Sequence, residues 1–63
     1  MKRVFFVESS DDIAPELELY DVVRRVGNEG QYQLTAYRHL PKQEADAKAH
    51  ELNVEYNKLP EAL

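Results

Sequence analysis

Apolar and polar positions alternate from residue 17 to residue 40, and the period then becomes helical. Leu17 and Leu19 alternate with Glu16 and Glu18, and Tyr20, Val22, Val23 and Val26 follow, all residues that favour strands. Gly27, Asn28, Glu29 and Gly30 make a turn signal, because glycine tolerates positive φ at no steric cost and asparagine at a small one. Residues 31–39 alternate again and complete a hairpin. If Gly27 faces Gly30, Val26 meets Gln31, Val22 meets Thr35 and Tyr20 meets Tyr37 on one face. On the other face Arg25 meets Tyr32, Val23 meets Leu34, Asp21 meets Ala36 and Leu19 meets Arg38. Leu17 and Leu40 also fall on this second face, which is therefore the expected core face.

Two elements flank the hairpin. Val4, Phe5, Phe6 and Val7 are β-branched or aromatic and lie between Lys2-Arg3 and a polar run from Glu8 to Asp12, which predicts a strand that is apolar on both faces. The same start superficially resembles a signal peptide. Its apolar run is shorter than the roughly 7–15 residues such a segment needs, and Glu8 ends it. Pro41 suits the first position of a helix. Ala45, Ala49, Leu52, Tyr56 and Leu59 then recur at helical spacing as one apolar stripe. Glu44 and Lys48 form a favourable i,i+4 pair. Asp46, His50, Asn53 and Asn57 are expected on the solvent side, with Val54 exposed opposite the stripe. Pro60 ends the helix and residues 61–63 form a tail.

The predicted fold is α+β: a small three-stranded antiparallel sheet near residues 2–8, 18–26 and 31–39, with one C-terminal amphipathic helix over residues 41–58. Residues 13–26 admit an alternative. Ser9, Ser10, Asp11 and Asp12 are capping residues, Pro15 fits a first turn, and Leu19, Val22, Val23 and Val26 share a helical face, which would give a β-α-β-α order. Under the preferred reading one helix covers one sheet face. Phe5, Tyr20, Val22, Val26, Thr35 and Tyr37 are left on the other face as a candidate interface.

Length sharpens this expectation. Residues 1–63 make a single small domain, and a chain of this size buries only about 60% of its unfolded surface. Small domains add disulfides, a metal or association, and the absence of cysteine removes the first along with thiolate metal sites. A homodimer is therefore expected, with a larger protein target as the other possible partner. The net charge of −4, from 12 acidic and 8 basic residues, argues against nucleic acid and against an anionic membrane surface. No stretch approaches the roughly 20 apolar residues of a membrane span, and a cytoplasmic location is expected.

The candidate chemistry is sparse. The acidic run after the first strand lacks the alternate-position spacing and central glycine of a calcium loop. Asp46 and His50 are only two potential metal ligands, and zinc sites need three or four. Ser9 and Ser10 sit in no nucleophile elbow, and Gly27 and Gly30 are too few to cradle phosphate in the known glycine-rich fingerprints. No enzyme activity and no cofactor are predicted. The expected function is a small soluble protein–protein interaction module, a homodimer through the exposed sheet face that regulates or inhibits a larger protein. The alternative is a nucleic-acid-binding module using Arg24, Arg25, Arg38 and Lys42 with the interleaved tyrosines, as on single-strand platforms.

Overall fold

The computed structural model describes residues 2–27 and 30–59. Strand β1 (Phe5–Ser9) leads through a short 3-10 turn (Pro15–Leu17) to β2 (Leu19–Val26). Strand β3 (Gln31–Leu34), the two-residue β4 (Leu40–Pro41) and helix α1 (Lys42–Lys58) complete the chain. All pairings are antiparallel: β2 lies at the centre, β1 on one side, and β3 and β4 in succession on the other. The α+β expectation is borne out, and residues 19–26 are strand, not helix. Glycines at φ +69° and +74° (Gly27 and Gly30) flank the hairpin turn as predicted, while Asn28, Glu29 and the tail from Pro60 lie outside the described residues.

The hairpin register is the predicted one only in its lower half. Val23 pairs with Leu34, Arg25 with Tyr32 and Val26 with Gln31. Further along, Tyr20 pairs with Leu40 instead of Tyr37. Three steps along β2 separate Val23 from Tyr20 while six separate Leu34 from Leu40, so three extra residues form a wide bulge. Thr35 holds it. Its amide and its hydroxyl both donate to the Val22 carbonyl, at 3.3 and 2.8 Å, and its oxygen accepts from the Tyr37 amide at 3.1 Å. The Val22 amide donates to the Tyr37 carbonyl at 2.9 Å. The chain returns to β2 through His39, whose φ of 58° is left-handed.

The bulge also decides which face is covered. Phe5, Val7, Tyr20 and Leu40 surround Val22, and α1 lays Ala45, Ala49 and Leu52 on them. Val22 and Ala45 have no exposure at all. Full burial of one valine contributes about 1.5–3 kcal/mol. This is the face opposite to the expected one. The leucines do not mark the core: Leu17 falls in the 3-10 turn and Leu34 on the marginal strand β3, both exposed. Shifted by three residues, Leu40 joins Tyr20 on the Val22 face, and α1 starts from there with two alanines small enough to sit close to the sheet.

A second correction concerns the helix. Asn53 does not face solvent but is 4% exposed. Its Oδ1 accepts from the amides of Val4 and Phe5 at 2.8 and 2.9 Å, and its Nδ2 donates to the Phe5 carbonyl at 3.0 Å. One turn on, Asn57 does the same for Lys2: its Oδ1 accepts from the amide at 2.9 Å and its Nδ2 donates to the carbonyl at 2.7 Å. Two side-chain amides thus stand where a neighbouring strand would, and they fasten the start of the chain to α1. Val54, expected to be exposed, is half-buried. Asn53→Ala strands the buried Val4 N–H and the part-buried Phe5 N–H, each costing about 1–3 kcal/mol. Urea unfolding should show a loss of about 2–4 kcal/mol, against less than about 1 kcal/mol for Asn57→Ala at the exposed end.

Candidate interaction surface

The side of the sheet away from α1 carries Phe6, Val23, Tyr32 and Leu34, in register across three strands, with Leu19 on the same side by alternation along β2. Val23 lies between Phe6 and Leu34 and is 2% exposed although no helix covers it. The Phe6 and Tyr32 rings meet edge to face across β2, with centroids 5.6 Å apart at 86°. The Arg3 guanidinium lies 4.9 Å from the Phe6 ring centroid. Tyr32 and Leu34 are each half exposed. Arg25 closes this face at the turn end and Glu8 lies toward the other end.

The candidate interface residues are distributed otherwise than expected. Phe5, Tyr20 and Val22 lie under α1. Thr35 spends its hydroxyl inside the bulge. Tyr37 stands beside the helix, with the Lys48 ammonium 4.8 Å from its ring centroid. Val26 is half-buried near the hairpin turn, on the helix side of β2 by alternation. The residues that take their place, Phe6, Tyr32 and Leu34, follow from the same strand alternation once the covered face is known.

At the bulge end of the sheet, Asp21 organises a polar clamp that the sequence reading missed. It is 1% exposed in the middle of an apolar strand. Oδ1 accepts from the Ser10 hydroxyl at 2.6 Å and from the His39 amide at 2.9 Å, and the Arg38 guanidinium lies 3.6 Å from Oδ2. Arg38 also donates to Asp12 at 2.9 Å, and the His39 ring lies 3.0 Å from the same carboxylate. Burial pushes the Asp21 carboxyl up, but the Ser10 and His39 donors and the Arg38 charge outweigh it and hold it below the ordinary value. The His39 ring likewise lowers Asp12. The Ser10 hydroxyl donates to Asp21 and the His39 imidazole lies against Asp12, so both polar side chains are engaged within the cluster. Its work is to hold the bulge and the loop after β1 against β2.

The four candidate nucleic-acid contacts separate. Arg38 belongs to this clamp, and Lys42 pairs with Asp46 at 2.7 Å beside the Tyr20 ring. Arg24 and Arg25 lie at the other end and line an open cleft of about 650 Å³ with Lys2 and Arg3. Among the described residues no group of three potential metal ligands occurs, and no helix is long and apolar enough to cross a membrane. No family model, curated protein or solved structure matches the chain.

The clamp predicts an acid limb of stability. A carboxyl whose folded pKa lies below its unfolded value near 3.8 stabilises fully above that value, and the contribution is lost as pH falls through the lower folded pKa. Unfolding free energy measured in urea from pH 7 to pH 2 should fall below about pH 4. Asp21→Asn should be less stable than the parent at pH 7, with a shallower acid limb.

Proposed function

We propose that this chain is a small protein–protein interaction module that forms a homodimer through the sheet face opposite α1. The observation that carries this reading is the exposure of Tyr32 and Leu34 beside Phe6 on the side that α1 leaves open. An apolar centre with aromatic rings is the composition that interface cores favour. The face also has opposite charges toward its two ends, with Arg25 near the turn and Glu8 near the loop after β1. Two copies related by a two-fold axis and packed antiparallel bring each Arg25 end toward the partner's Glu8 end, an arrangement that closes on itself. For so small a chain, association adds the apolar burial that its own core lacks. A larger protein target is the other occupant this face fits, and on such a target the module would act as a regulator or inhibitor.

Light scattering on a sizing column over a range of concentrations tests the reading. The parent should run at twice its 7.3 kDa chain mass, and Leu34→Arg or Tyr32→Arg should run as monomers with unchanged helical circular dichroism. Tyr37→Arg, beside α1, should still dimerise. A parent that is monomeric throughout, or a Leu34→Arg variant that dimerises as the parent does, refutes the proposal.

A further inference from the structure

The eight lysines and arginines divide into two groups of four. Arg38 is paired with Asp12 and Asp21, Lys42 with Asp46, Lys48 with Glu51 and Lys58 with Glu55. Lys2, Arg3, Arg24 and Arg25 make no ion pair with any described residue, and all four line the same cleft. Gly27 and Tyr56 also line it, so the cleft lies between the start of the chain, the turn end of β2 and the last turns of α1.

Two ordinary explanations fall short. The C-terminal end of a helix carries about half a negative charge, which one or two nearby cations would satisfy. Four exceed it, and Lys58 already stands in the last turn of α1. Nor is there a shortage of acids, since the chain has 12 of them to 8 bases. Every basic residue outside the cleft has an acidic neighbour, while among the described residues the cleft has none. Four like charges lining one cleft with no acid beside them among the described residues repel one another, and an anionic ligand relieves that repulsion.

We infer that this cleft binds a ligand carrying two or more phosphate groups. Three of the four cations are arginines, whose planar forks match phosphate oxygens two at a time, and Lys2 adds a point charge. Four positive charges exceed what a single phosphate neutralises. A volume of about 650 Å³ lies within the range of small-ligand sites, and Tyr56 gives the cleft an aromatic wall. The shared chemistry is a run of phosphates, supplied either by a free nucleotide or by a nucleic-acid strand. The inference goes beyond the dimer proposal and does not depend on it.

Nuclear magnetic resonance titration of the full ¹⁵N-labelled chain at low salt, with sodium pyrophosphate, ATP and an oligothymidylate as probes, tests it. Saturable shifts should gather at residues 2–4, 24–27 and 56, with affinity falling as salt is raised. Arg24→Gln and Arg25→Gln, both at exposed positions with no side-chain bond among the described residues, should each weaken pyrophosphate binding by about fivefold or more. Their spectra should otherwise match the parent. Tighter binding of ATP than of the oligonucleotide assigns a free nucleotide. Tighter binding of the oligonucleotide than of ATP assigns a nucleic-acid strand. The inference fails if no probe gives saturable shifts, if the shifts lie elsewhere, or if both the Arg24→Gln and the Arg25→Gln variants bind as the parent does. It also fails if a synthetic peptide of residues 8–18 binds more tightly than all three phosphate probes, because the cleft would then be a carboxylate site.

Discussion

Three surplus residues between β3 and β4 govern the rest of the molecule. They must be held without a glycine, and two buried groups hold them. The Val22 backbone bonds to Thr35 on one side of the excess and to Tyr37 on the other. The Asp21 carboxylate takes the His39 amide where the chain turns back. An ionised carboxylate at 1% residue exposure needs compensation: Oδ1 takes the Ser10 hydroxyl and the His39 amide, and Oδ2 faces the charge of the Arg38 guanidinium at 3.6 Å, too long for a hydrogen bond. Everything downstream inherits this arrangement: the position of Leu40, the origin of α1, and the face on which Ala45 and Ala49 settle.

What could be read from the sequence follows the reach of each signal. Gly27 and Gly30 fix the register near the turn, and the pairs from Val26 to Val23 were legible for that reason. The stripe beginning at Ala45 located α1 within a residue. The bulge was not legible, because its left-handed residue is a histidine and neither glycine nor asparagine marks the position. A three-residue slip is odd-numbered, so it reversed the faces on which Leu40 and the helix were placed.

The missed residues did leave traces. Asp21 is an acid inside a run of strand-forming apolar residues, a placement that calls for a buried partner set. Asn53 and Asn57 are poor helix formers one turn apart on a helix. Such residues persist there when their side chains bond elsewhere, and here they bond to the backbone of the first strand region. The basic cleft could not be foreseen, because Lys2-Arg3 and Arg24-Arg25 are distant in sequence and meet only through the pairing of β1 with β2.

The asparagine seal has one more consequence, for how the molecule can grow. A sheet has two outer edges, and each is a template for another chain. On β1 the groups of Phe5 are already taken by Asn53, and the short open remainder from Val7 to Ser9 carries the charge of Glu8. On β3 all four residues are exposed and none is charged. Strand addition is therefore one-sided. A strand added along β3, an arrangement distinct from the face-to-face pair proposed above, would leave only sealed or charged edges outward, and such growth would stop after one step instead of running on into a fibre.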